Sequence, residues 1–286
     1  MMINKIRRVI QTLSLLIIDS NFVIFKKFGI YQGKFKQFFS PGLNCYACPL
    51  SRFACPIGTL QHFISIRQIP YYVSGFILGL GGILGRLPCG YFCPFGFIQE
   101  LFYKIGNFKI RIGKKYGYLK YIILVIIIPW VYFTGEPMFC KFCPAGTLEG
   151  GIPVMLSPMR KDLISLIGWH FYFKLGILIF FVMLFMSIKR PFCRFVCPLG
   201  AIWGLTNKAS LLNMKVDTKK CTKCDECQEV CPMDIRIYED PNHFDCIRCF
   251  KCIDVCPEGI IEADFMGMPI LKKERIPNNV IVGGIK

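Results

Sequence analysis

Cys221-Thr-Lys-Cys224-Asp-Glu-Cys227-Gln-Glu-Val-Cys231-Pro232 and Cys246-Ile-Arg-Cys249-Phe-Lys-Cys252-Ile-Asp-Val-Cys256-Pro257 are two copies of one pattern, C-x2-C-x2-C-x3-C-P. This spacing wraps thiolates around a cubane iron-sulfur cluster, and in tandem copies the fourth Cys of each run crosses to the other cluster. The expected sets are Cys221, Cys224, Cys227 and Cys256 for one [4Fe-4S] centre, and Cys246, Cys249, Cys252 and Cys231 for the second. Zinc ribbons and disulfides are the bland alternatives. Zinc knots rarely place Pro after a fourth Cys, and neither copy departs from the cubane pattern. Paired cubanes form an electron relay.

Composition places this relay beside an apolar body. Hydrophobic residues are 53% of the chain, Phe occurs 27 times, and mean hydropathy is +0.46. Residues 1–213 carry 24 Lys and Arg against 5 Asp and Glu, whereas residues 214–286 carry 11 against 13. A basic membrane domain over 1–213, a two-cluster ferredoxin domain over 214–264 and a tail over 265–286 are the expected units. Nucleic acid is excluded as a partner, because the cations flank apolar runs and form no basic face with interleaved aromatics.

Three runs read as spans: Ile69 to Leu84, Tyr121 to Phe133, and Phe171 to Ile188. Each is short of the 20 or so apolar residues that a bilayer core asks for, and borrows flanking aromatics. A fourth, Val9 to Phe25, follows Lys5, Arg7 and Arg8 and is interrupted by Asp19 and Asn21. It reads as an uncleaved anchor, with a re-entrant or interfacial helix as the alternative. The loop holding Arg86, Lys104, Lys109, Arg111, Lys114, Lys115 and Lys120 outweighs the one holding Lys141, Arg160 and Lys161. The positive-inside rule then puts the former, and the ferredoxin domain, in the cytoplasm. Lys26, Lys27, Lys34, Lys36 and Arg52 would lie outside, against that rule.

Cysteine recurs in an internal repeat, over about 45–105 and 140–208. Cys89-Gly-Tyr-Phe-Cys93-Pro94 ends one apolar run and Cys193-Arg-Phe-Val-Cys197-Pro198 ends another. Cys55-Pro-Ile-Gly-Thr-Leu-Gln and Cys143-Pro-Ala-Gly-Thr-Leu-Glu precede those runs. Two halves of the same orientation form a parallel pseudo-repeat. Cys89, Cys93, Cys193 and Cys197 together supply four thiolates for one cluster bridging the halves at the inner surface. The rivals are a separate cluster on each pair, a structural zinc, or buried thiols. The outer side offers Cys45, Cys48, Cys55, Cys140 and Cys143, one more than a cubane needs. Disulfides are the alternative there, and spacing does not choose the surplus thiol.

These motifs resemble the NapH/NosR-type membrane polyferredoxin family, over roughly residues 60 to 260. Cys89, Cys93, Cys193 and Cys197 match its C-x3-C-P positions, and the eight tail cysteines match its ferredoxin positions. The resemblance implies electron exchange between the quinone pool or a cytoplasmic donor and a partner oxidoreductase. Flavoprotein, dehydrogenase or reductase subunits, and a quinone or ferredoxin, are the partners it suggests. A flavin-binding domain of the NosR kind is not expected, and the outer cysteine set departs from the nitrate-reductase member.

The expected fold is thus a mainly α membrane protein of about four transmembrane helices, with an α+β ferredoxin domain. No catalytic residue stands out, so the chain reads as a non-catalytic electron-transfer subunit, with a membrane redox sensor as the alternative. Arg86, Arg190 and Arg194 flank the inner motifs, either as cluster-tuning charges or as interfacial anchors. Gly96 and Gly200 are expected to let backbone pass close to inorganic sulfide. The inner and outer sets are expected on opposite faces, separated by much of a hydrocarbon core of about 30 Å; either the helices dip the loops inward, or another cofactor or a quinone sits between. Haem is disfavoured, His62 and His170 being lone residues at the interface; His243 is expected to be solvated. Gly75-x3-Gly79 and Gly81-x3-Gly85 suggest close helix packing. Met155, Met159, Met183 and Met186 read as filler.

Overall fold

The computed structural model describes residues 2–21, 30–45, 48–156 and 168–273. Phe22 to Phe25 of the first apolar run, Lys26, Lys27, Met159, Arg160, Lys161 and the end of the tail lie outside the described residues.

Helices build the body. The first half holds α1 (Met2–Ile18), α2 (Pro56–Ser65), α3 (Tyr71–Leu84), α4 (Leu87–Tyr91) and α5 (Pro94–Ile105). Helix α6 (Leu119–Thr134) leads to the second half, made of α7 (Met138–Phe142), α8 (Pro144–Gly146), a π turn (Thr147–Gly151), α9 (Ile152–Leu156), α10 (Trp169–Ser187), α11 (Pro191–Phe195) and α12 (Pro198–Thr206). Among the described residues, Tyr116–Thr134 and Trp169–Ser187 are long and apolar enough to cross a membrane, and α3 is a shorter apolar helix. Val125, Phe133, Phe180 and Met183 on the two long helices are exposed. An apolar surface of this extent suits lipid better than water.

Helix α1 differs from the expected anchor. It ends at Ile18, and Arg7 lies within it, fully buried. Arg7, Gln11 and Ser14 face the protein, while Ile6, Val9, Leu13 and Leu16 face outward. This inverted amphipathicity fits a helix lying between protein and an apolar medium. Its polar face also touches the ferredoxin domain, through α14 (described below).

The two halves exchange elements. Helix α5 packs along α10, and α12 along α3. Ile110 N–H donates to Ser187 O at 2.8 Å, and Leu211 N–H donates to Gly82 O at 2.9 Å. Each segment leaving an inner helix is thereby tied to the end of the other half's apolar helix, as a two-fold pseudo-repeat requires. Trp203 Nε1 completes the α12–α3 joint by donating to Ile77 O at 3.0 Å. Gly81 makes room for it, since a Cβ there would meet Trp203 at 2.9 Å. Gly75 and Gly79 face open space, and Gly85 (φ 59°) lies past the helix end against Arg248 and Asn207 side chains, so the expected helix-packing role holds for Gly81 and is corrected for the other three.

The ferredoxin domain carries an antiparallel sheet in the order β1 (Leu212–Val216), β2 (Ile261–Phe265), β3 (Met268–Lys272). Strand β3 occupies part of the segment read from sequence as tail. Met266 and Gly267 turn the β2–β3 hairpin with φ of 52° and 90°, the doubly left-handed geometry that a two-residue hairpin favours. Short helices α13 (Glu226–Glu229) and α14 (Lys251–Val255) sit within the two cysteine runs.

Candidate iron-sulfur centres

Each ferredoxin run bends at the same two places. Lys223 and Asp225 in the first, and Arg248 and Phe250 in the second, have φ of 53°, 59°, 48° and 58°. Left-handed non-glycine residues in such alternation turn backbone N–H groups inward, the nest geometry that suits an anionic sulfide core. One cavity is walled by Cys221, Cys224, Cys227 and Cys256. Its neighbour is walled by Cys231, Cys246, Cys249 and Cys252, with Cys227 at the side between them. The fourth Cys of each run thus lies with the other run's first three.

In the body, four Cys-Pro-x-Gly segments start helices. Cys55, Cys93 and Cys197 are the N-caps of α2, α5 and α12, with Pro at the first helical position. Their sulfurs accept from Gly58, Gly96 and Gly200 N–H at 3.4, 3.3 and 3.4 Å. Proline fits there because that position has no N–H to bond, and the helix dipole favours a thiolate at the cap. Cys143 repeats the arrangement at α8, with the Gly146 N–H facing its sulfur.

Cys89, Cys93, Cys193 and Cys197 come together from both halves, and all four are buried. Burial pushes the Cys89, Cys93 and Cys197 thiols up, and mutual repulsion with Cys193 adds to it, while Arg86 and Arg190 pull Cys89 down. Buried thiols such as Cys89, Cys93 and Cys197, which resist ionisation, suit a cationic metal core that takes them as thiolates. Gln99 Nε2 donates to Cys193 Sγ at 3.1 Å.

Two arginines cross between the halves. Arg190 Nη1 donates to Cys89 O at 2.8 Å, and Arg86 Nη2 donates to Cys193 O. Both guanidinium groups are fully buried, which removes the reading of them as interfacial anchors; Arg194, also buried, donates to Ile112 O at 2.9 Å. Each crosses over a glycine: a Cβ at Gly200 would lie 2.6 Å from Arg86 Nη2, and one at Gly96 would lie 3.1 Å from Arg190 Nη1. The small residue admits an arginine at these positions. Glu100 balances Arg190 at 2.7 Å and also pairs with Arg7 and Arg8, while Asp245 balances Arg86 at 2.8 Å and pairs with Lys120.

The outer thiols sort into four and one. Cys143 feels Cys140, Cys55 and Cys45, and a Cβ on Gly146 would lie 3.6 Å from Cys45 Sγ. Gln61 Nε2 donates to Cys140 Sγ at 3.5 Å, repeating the Gln99–Cys193 contact. Cys48 turns elsewhere. Its Sγ donates to Glu149 O at 2.7 Å, and Glu149 and Asp19 are among the charges bearing on it. Glu149 lies in the π turn and is buried, which pushes its carboxyl well up. Its Oε2 accepts from Cys45 N–H at 2.9 Å.

The sets are neighbours. Leu43 O lies 4.0 Å from Cys93 Sγ, and a Cβ on Gly42 would lie 2.6 Å from Cys93 Cα. Cys45 follows Leu43 by two residues, at most about 7.6 Å of chain. Of the two expected solutions, the close approach of Leu43 and Gly42 to Cys93 agrees with a loop that dips inward, toward the inner set. On the other side, a Cβ on Gly90 would meet Ile247 O at 2.6 Å, and Tyr91 Oη reaches Cys249 O at 3.5 Å. Asn207, fully buried, accepts from Arg86 N–H at 2.9 Å and donates to Cys246 O at 2.8 Å. His62 and His170 are exposed. His243 is half-buried and accepts from Asp245 N–H at 3.1 Å, contrary to the solvated reading.

Sequence reasoning passed over Gln61, Gln99, Glu100, Glu149, Asn207 and Asp245. A signal existed for four of them: each of the first four follows a Cys-Pro segment by six or seven residues, where a helix brings it back over the cap.

No solved structure matches the chain. A 4Fe-4S binding domain family matches residues 52–71, 69–113, 119–152 and 169–219, and a 4Fe-4S dicluster domain family matches 213–257. An uncharacterized protein of Methanocaldococcus jannaschii is 31% identical over 205 residues, 67% of this chain and 78% of that one. The ferredoxin-type protein NapH of Haemophilus influenzae is 27% identical over 56% of this chain and 52% of its own length. The regulatory protein NosR of Stutzerimonas stutzeri is 24% identical over 55% of this chain and 21% of its own. With its cysteine sets, its dicluster domain and these relatives, the chain belongs to the 4Fe-4S binding, NapH/NosR-type polyferredoxins and is an iron-sulfur electron-transfer protein.

Proposed function

We propose that the chain is an integral membrane subunit relaying electrons between a cytoplasmic donor or acceptor, or the quinone pool, and a partner oxidoreductase. Four [4Fe-4S] clusters would be held by Cys45, Cys55, Cys140 and Cys143; by Cys89, Cys93, Cys193 and Cys197; by Cys231, Cys246, Cys249 and Cys252; and by Cys221, Cys224, Cys227 and Cys256. When bound, such clusters supply one-electron carriers whose potentials follow local charge and hydrogen bonding. The observation that carries the reading is that the inner cysteine segment is approached closely on both sides, by Leu43 at Cys93 and by Ile247 at Gly90.

The protein's own groups hold the cysteine segments rigid. Arg86 and Arg190 fix the carbonyls of Cys193 and Cys89, and Gln61 and Gln99 donate to outer and inner sulfur. Cys224, exposed at the far end, gives a partner such as a flavoprotein, dehydrogenase or reductase access to the last set. A largely apolar groove of about 240 Å³ is lined by Ile10, Leu13, Ile17, Pro41, Phe53 and Phe92, the last of these preceding Cys93 in the chain. It suits the ring and first isoprene of a quinone. The cations Lys104, Lys109 and Arg111 argue for the ferredoxin side as cytoplasmic.

Iron and acid-labile sulfide on anaerobically purified protein test the reading, with EPR of the reduced sample. About sixteen iron atoms per chain agree with four clusters; about eight would confine the clusters to the ferredoxin domain and refute the membrane relay.

A further inference from the structure

A cleft of about 160 Å³ opens where α1, α5 and the end of α10 meet the ferredoxin domain. Arg8, Lys104, Lys189, Arg190 and Lys251 line it, against the carboxylates of Glu100 and Glu229. Glu100 is already shared among Arg7, Arg8 and Arg190. The Glu229 carboxylate reaches out to Arg111 at 3.4 Å on the exposed rim, and Lys189 Nζ is left with the Glu229 carbonyl at 2.6 Å. Five basic side chains against two carboxylates leave the cleft with an excess of positive charge, which a bound anion would offset.

We infer that this cleft binds a phosphate-bearing anion, presented by an anionic phospholipid headgroup or free in solution. The size and the convergence of guanidinium and ammonium groups match a phosphate, which takes several charge-assisted bonds at once. The surroundings suit a lipid source, because Ile6 and Val9 of α1 and Leu101 and Ile105 of α5 are exposed beside the cleft. Basic pockets at this junction of apolar helices and polar domain are places where headgroups dock. The bound anion would tie α1 and α5 to the ferredoxin segment at Cys231 and Pro232, which also line the cleft.

Native mass spectrometry and thermal melting of the full-length, cluster-loaded protein in neutral detergent test this. The probes are phosphatidylglycerol, phosphatidylcholine and inorganic phosphate. Lys104→Gln with Lys189→Gln is the variant, accepted only if its iron content and visible spectrum equal those of the unaltered protein. Tight retention of phosphatidylglycerol over phosphatidylcholine, weakened about tenfold or more by the double variant, supports the lipid form. Saturable binding and stabilisation by inorganic phosphate with the same loss in the variant supports the soluble form. Binding of neither anionic probe, or equal binding by both proteins, overturns the inference.

Discussion

Arg190, from the second half, donates to the carbonyl oxygen of Cys89, in the first, at 2.8 Å, and Arg86 returns the contact to Cys193. A crossed pair of this kind locks two halves together at their cysteine motifs and leaves two positive charges beside the inner thiols. Arg190→Gln should therefore lower the potential of the inner centre. Loss of one nearby charge at a partly screened site is worth about 2 kcal/mol, or roughly 80 mV for one electron. Arg190→Lys should recover most of that shift. A redox titration followed by EPR checks both variants, and equal potentials in all three proteins would remove the tuning role.

Glu100 faces Arg7, Arg8 and Arg190 together. Burial alone would raise its pKa, but Arg190 and Arg7 outweigh burial and hold it at about 2, against 4.5 when free. A depressed folded pKa stabilises the fold above about pH 4.5, and that stability is lost as pH falls toward 2. Glu100→Gln should cost roughly 3 kcal/mol at pH 7, about the same at pH 5.5, and progressively less below 4.5. Denaturant midpoints across that range measure it. A gap that already closes between pH 7 and 5.5 would contradict the assignment.

Gly200 and Gly96 predict an unequal pair of substitutions. The Cβ of Gly200→Ala would come within 2.6 Å of Arg86 Nη2 and 3.3 Å of Cys193 O, a backbone atom. That of Gly96→Ala meets Arg190 at 3.1 Å, a smaller intrusion on the end of a side chain. Gly200→Ala should destabilise by about 1–3 kcal/mol, as overpacking does, and Gly96→Ala by less. Melting temperatures of the two variants, compared with the unaltered protein, would reveal the order.

How far the sequence could be read follows from how far apart the interacting residues lie. The ferredoxin sets come from spacings of three and four residues, and the cavities around Cys221 to Cys256 gather the same thiols. The nearness of Cys89 and Cys93 to Cys193 was legible because both halves repeat one motif. Asp245 was not, since its arginine partner is 159 positions away, and nothing local marks that carboxylate as a counter-ion. Whether the outer loop dips inward stayed open in the sequence for a related reason. Hydropathy treats a loop as lying beyond the membrane, whereas the segment at Gly42 and Leu43 folds back onto Cys93. Helix α1 misled similarly: Arg7 looked like a flanking anchor, and its burial depends on Glu100 and Gly90 in α5 and α4.

The surplus outer thiol makes the sharpest prediction, because Cys45 and Cys48 are indistinguishable by spacing. Cys45 Sγ lies against Gly146, beside the Cys143 cap, whereas Cys48 Sγ is engaged by the Glu149 carbonyl. Cys48→Ser keeps a donor for that carbonyl in a buried place and should leave about sixteen iron atoms per chain. Cys45→Ser removes a thiolate from the outer four and should leave about twelve, or a three-iron centre with an altered EPR signal. Cys140→Ser and Cys143→Ser should behave like Cys45→Ser. Iron loss from Cys48→Ser with retention in Cys45→Ser would reverse the assignment and make Glu149 the neighbour of a ligand rather than of the spare thiol.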